Sequence, residues 1–133
     1  MGAWGIGEFE NDNALDFVND VTDGAGLKRI ETAIDSVVNA RSEYLEAPEA
    51  EEGLAAAAIL VRLKNPTVNQ QSTPLELSAW LSKAEKPTAE LTEKARQAVS
   101  RVLTAPSELL ELWSESDEFE AWKASVEAIA AQL

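Results

Sequence analysis

Residues 48–64, PEAEEGLAAAAILVRLK, limit the fold more than any other stretch of this chain. Pro48 suits an early helical position, where its missing amide hydrogen is not needed. The breaker Asn65-Pro66 follows Lys64. Between them, Leu54–Val61 is apolar on most sides of a helical wheel. Such a helix is stable only if other elements enclose it, and its alanines let those neighbours come close. The same run, LAAAAILV, is far too short to span a bilayer. A central helix with others packed around it is the expected plan.

The flanking sequence supplies those neighbours. Ala14, Phe17, Val18 and Val21 follow the i, i+3, i+4, i+7 spacing of one helical face, with Asn11–Asn13 as N-cap candidates. DGAG at 23–26 breaks this helix, and a second is predicted to carry Leu27, Ile30, Ile34, Val37, Val38, Tyr44 and Leu45. After the polar loop 65–74, Thr73 and Glu76 form a capping-box pattern with Pro74 at the first helical position, leading into Trp80 and Leu81. Leu91, Ala95, Ala98, Val99, Val102 and Leu103 mark a long amphipathic helix before Pro106. Ser107 is placed to cap ELLELW, and Ser116 to cap a last helix bearing Phe119, Trp122, Val126, Ile129 and Leu133. Alternating strand patterns are missing from the sequence. The fold class expected is all-α, a single-domain bundle of six or seven helices over residues 1–133. Residues 1–10 form an aromatic and glycine-rich segment packing on it. A chain of 133 residues is long enough to bury such a core without metal or disulfide.

Composition then narrows the chemistry. The chain has no histidine and no cysteine. Serine–histidine and cysteine–histidine catalysis, thiolate metal sites and disulfides are therefore excluded, and a reducing cytoplasm is the expected location. The formal net charge is −13. Residues 1–60 carry 13 acids against 3 bases, residues 61–106 carry 4 against 7, and residues 107–133 carry 7 against 1. Such a field repels nucleic acid and anionic lipid and attracts cations or basic proteins. No secretory signal is recognisable in the opening residues.

Four stretches could carry function. The first is MGAWGIGEFEND, where Gly5-Ile6-Gly7 lacks the third glycine or the lysine of a phosphate loop. Trp4, Ile6 and Phe9 are expected to plug the start of the first helix, and the glycines to take positive φ between aromatic rings. The second is Asp12, Asp16 and Asp20, spaced four apart. Like charges at that spacing cost a helix about 0.2–0.5 kcal/mol per pair, so the ridge invites a neutraliser. Lys28, Arg29, Arg41, Arg62 and Lys64 are candidates, as are a cation or a basic partner. The third is Glu43, Glu46, Glu49, Glu51 and Glu52, with the last three expected in a helical first turn favoured by the dipole. The fourth is SELLELWSESDEFEAW, where Trp113 among acids could be a docking hot spot and Trp122 fills the core.

The stretches GAWGIGEFENDNALDFV, YLEAPEAEEGLAAAAIL, LSAWL, AVSRVL and SELLELW together resemble the bacterial domain-of-unknown-function family 4259. The resemblance implies one small domain with Gly2, Trp4, Gly5, Gly7, Phe9, Asn11 and Asp12 as motif residues of unknown role. It implies no activity, substrate or cofactor. Phe17 stands where tryptophan is expected in many relatives. The function expected first is a non-enzymatic, cytoplasmic interaction module that binds a basic protein, as an immunity-like inhibitor would. Asp12, Asp16, Asp20, Glu46, Glu49, Glu52 and Trp113 are the candidate contacts. The alternatives are a divalent-cation-binding protein or small carboxylate-based metal enzyme, and a structural homo-oligomer subunit. No catalytic residue, resident metal or cofactor is assigned. Nucleic acid and membrane are not expected as partners.

Overall fold

A computed structural model describes residues 5–67 and 72–133. Seven α-helices are found among them: α1 (Asp12–Asp20), α2 (Gly26–Val38), α3 (Ala47–Lys64), α4 (Leu75–Leu81), α5 (Ala89–Val102), α6 (Glu108–Ser114) and α7 (Phe119–Gln132). No strand occurs among the described residues. A single isolated bridge joins Leu45 to Ser107.

Helix α3 lies at the centre, with α1, α2, α5, α6 and α7 against it. Every residue from Gly53 to Leu63 is buried. The closest approach is to α2, because a Cβ placed on Gly53 would come within 2.5 Å of Val37 Cγ2. Only a residue without a side chain lets these two helices meet there. Arg62 and Lys64 stand in the last turn of α3, where positive charge complements the helix dipole. The neighbours bury the faces their spacing predicts: Ala14, Phe17 and Val18 on α1, Ile30, Ala33, Ile34 and Val37 on α2, and Ala95, Ala98, Val99 and Val102 on α5. Each fully buried large aliphatic or aromatic side chain here contributes about 1.5–3 kcal/mol.

Local signals start and stop most of these helices as expected. The Asn11 side chain accepts from Ala14 N at 2.7 Å, Thr88 from Leu91 N at 3.1 Å and Ser107 from Leu110 N at 3.4 Å. Gly24, at φ 131°, turns the chain between α1 and α2. Lys64 and Arg96 both donate to the Leu133 carbonyl, tying α7 to α3 and α5.

Three expectations are corrected. Helix α2 stops at Val38, so Tyr44 and Leu45 are not on it. The chain turns through Arg41 at φ 50°, and Leu45 instead pairs with the segment before α6, its N–H donating to Pro106 O and its carbonyl accepting from Glu108 N. Thr73 does not cap α4, because its hydroxyl accepts from Arg62 Nε at 2.7 Å, and Pro74 is the N-cap rather than the first helical residue. Ser116 accepts from Glu118 N at 3.1 Å, one residue ahead of α7, whose N-cap is Glu118 without a side-chain cap bond.

Candidate functional site

The opening motif folds against α3 through Arg62. This guanidinium is 1% exposed and lies in the most apolar helix of the protein. It donates to Glu8 Oε1 at 3.0 Å, Ser72 Oγ at 3.0 Å, Thr73 Oγ1 at 2.7 Å and Ala58 O at 3.0 Å. Its carbon also stacks over the buried Phe9 ring at 4.8 Å. Four acceptors and an aromatic face satisfy every side of the cation, which is the condition for burying one. Gly5 and Gly7 do not take positive φ, unlike Gly24 and Gly26, so that expectation is corrected. Their lack of a side chain matters for space: Glu10 folds back over them, accepting from Gly7 N at 3.1 Å, and a Cβ on Gly7 would sit 2.6 Å from its carboxylate. Gly2 and Trp4 lie outside the described residues.

Behind the motif is a small cleft of about 20 Å³. Gly5, Asn11, Glu51, Trp113, Trp122 and Ser125 are among its walls. Trp113 and Trp122 stack with ring centroids 5.7 Å apart and planes 8° from parallel. Both are buried, so Trp113 is a cleft wall and not an outward-facing contact. Glu51 is 4% exposed and accepts from Asn13 Nδ2 at 2.9 Å. Burial pushes its carboxyl above the ordinary range. The Asn13 bond opposes this, and the charges of Glu108 and Asp12 add to it. Glu51 was expected in an exposed first turn. It faces inward because it shares the stripe of Ala47, Leu54 and Ala58 along α3.

The remaining acids form the outer face. Asp20 and Glu52 converge on Arg29, at 3.6 and 3.0 Å, and the same guanidinium stacks 4.8 Å over Phe17. The end of the aspartate ridge is thus neutralised internally, by Arg29 and not by Arg62 or Lys64. Asp12, Asp16, Glu46 and Glu49 are exposed. Among the described residues, no group of three or more carboxylates is placed to hold a metal ion.

Sequence reasoning missed Tyr44. It is 52% exposed, the aromatic side chain most open to solvent among the described residues. Local desolvation raises its phenol above the usual value, reinforced by its hydrogen bond to Glu111 and by the charges of Glu111, Glu108 and Glu46. The loop that carries it is fixed from beneath. Arg101 donates to the carbonyls of Arg41 at 2.6 Å, Glu43 at 2.6 Å, Thr104 at 2.6 Å and Pro106 at 2.9 Å. Glu108 Oε1 accepts from Ala47 N at 2.8 Å, closing the start of α3 onto α6. The only hint in the sequence was an aromatic in the polar stretch RSEYLEAPE, outside any sound helical period.

The chain belongs to the family described as a domain of unknown function (DUF4259), whose model matches residues 2–125. That span includes the opening motif, the cleft and the Tyr44 loop. Comparison with curated proteins and with solved structures returned no match. Among the described residues, no helix is long and apolar enough to cross a membrane.

Proposed function

We propose that this member of the family is a non-enzymatic, cytoplasmic binding module whose acidic face docks a basic protein. The observation that carries the reading is Tyr44, half exposed and ringed by Glu46, Glu108 and Glu111 on a loop pinned by Arg101. Tyrosine combines a large apolar surface with a polar tip and few rotatable bonds, so it is enriched among residues that dominate interfaces. A loop already held in place loses little entropy on binding. The surrounding carboxylates and the net charge of −13 supply the field that draws in a positively charged surface and speeds encounter. Exposed Asp12, Asp16 and Glu49 extend the field, whereas Asp20 and Glu52 are engaged by Arg29. The lack of histidine and cysteine in the sequence supports binding over catalysis.

The test is affinity capture from the native host at low ionic strength, using the wild type, Tyr44→Ala and the double variant Glu46→Lys/Glu111→Lys. A basic protein retained by the wild type, reduced by Tyr44→Ala, lost on charge reversal and rebinding in purified form supports the reading. Retention of no basic protein, or retention equal across the three baits, contradicts it.

A further inference from the structure

We propose that the cleft beside Glu51 is a binding site for a single primary ammonium group. The proposal is separate from the outer face, and its probe is a small amine rather than a protein.

Size sets the first limit. About 20 Å³ exceeds the roughly 10–15 Å³ that one water-sized group needs, and it is too small for a phosphate or a ring. Charge sets the second. Glu51 is 96% buried, as its exposure of 4% implies, and among the described residues Asn13 is its hydrogen-bond partner, at one oxygen. A carboxylate has about four acceptor positions, so one donor leaves the group short of partners. Asp12 and Glu108 add negative potential around it. The nearest buried cation, Arg62, is already committed to Glu8, Ser72, Thr73 and the Ala58 carbonyl. Buried negative charge of this kind calls for a donor-rich cation.

Ligand chemistry narrows the choice further. A divalent metal needs several oxygen ligands, and no such group is assembled among the described residues. An ammonium needs three acceptors or aromatic contacts. The walls offer the Glu51 carboxylate, the side-chain oxygens of Asn11 and Ser125, and the rings of Trp113 and Trp122. A free alkylamine and the tip of a lysine side chain share this chemistry.

The test is two-dimensional NMR of the full chain titrated with methylammonium. Sodium and tetramethylammonium at equal ionic strength serve as controls, and Nα-acetyl-lysine amide represents the lysine tip. The expected result is saturable shifts of the Asn13 side-chain amide and the Trp113 and Trp122 indole signals with methylammonium and with neither control. Glu51→Gln should weaken that response roughly tenfold or more, the effect of losing one charge-assisted hydrogen bond. Binding of the lysine derivative as well assigns the site to a lysine tip, and binding of methylammonium alone assigns it to a small free amine. Equal shifts with sodium or tetramethylammonium, no shift with methylammonium, or an unchanged response in Glu51→Gln would overturn the proposal. The comparison among cations decides it in the wild type even if Glu51→Gln fails to fold.

Discussion

Replacing Arg62 with methionine isolates the contact that fastens the opening motif to the central helix. Methionine keeps much of the aliphatic stem but removes the cation from a site 1% exposed. Glu8, whose side chain is 16% exposed, then loses its partner at 3.0 Å, and Thr73 and Ser72 lose a donor. Removing one member of a buried pair costs about 3–5 kcal/mol. Glu8 can still reach some water, which puts the expected loss at the lower end, about 3 kcal/mol. For a chain of 133 residues, an unfolding entropy of about 2.1 cal/mol/K per residue converts that loss to a drop of roughly 10 °C in Tm. Thermal and denaturant unfolding followed by circular dichroism measure it. Glu8→Gln combined with Arg62→Met should recover part of the loss, because no uncompensated carboxylate is left behind. Arg62→Lys should stay well below wild type, since a single ammonium cannot reach four acceptors and stack on Phe9. A loss for Arg62→Met under about 1 kcal/mol, or roughly 4 °C, would refute the reasoning.

Other perturbations test other parts of the account. Gly53→Ala should destabilise by about 1–3 kcal/mol through overpacking against Val37, outweighing a helix-propensity gain of about 1 kcal/mol. Val37→Ala in the same chain should reduce that penalty, as paired denaturation curves would show. Glu51 binds its proton more tightly folded than unfolded, so its contribution to stability falls as pH rises from the ordinary carboxylate range through its raised value. Glu51→Gln should therefore be more stable than wild type at neutral pH, with the advantage shrinking on acidification below that window, in Tm measured against pH. Arg101→Ala should speed amide exchange over residues 41–46 while leaving α3 protected, because its four carbonyl contacts hold that loop and not the core.

Much of the fold was legible because local and global signals agree. The spacing of Ala14, Phe17 and Val18 located α1, the Ser107 cap located α6, and the uniformly apolar Leu54–Val61 placed α3 at the centre. Helix α2 was extended too far because Tyr44 and Leu45 continue its apolar spacing, whereas the turn at Arg41 depends on long-range bonds from Arg101. Thr73 fits a cap on sequence grounds, but a buried guanidinium is the stronger claimant for its hydroxyl. The candidate site was harder. Glu51 and Glu49 look alike in an acidic run, and only the stripe shared with Leu54 distinguishes the buried one. Arg62 stood out in an apolar helix as needing an internal partner, yet nothing local pointed to Glu8, 54 residues away. Trp113 among acids reads as a docking residue until its stacking on Trp122 is seen.

Hydrogen exchange of the chain with and without its purified basic partner tests the central claim most directly. The account expects slowed exchange over residues 41–46 and 106–111, the two segments that frame Tyr44. Protection confined to the Leu75–Leu81 helix or the α5 surface, with these segments unchanged, would contradict it.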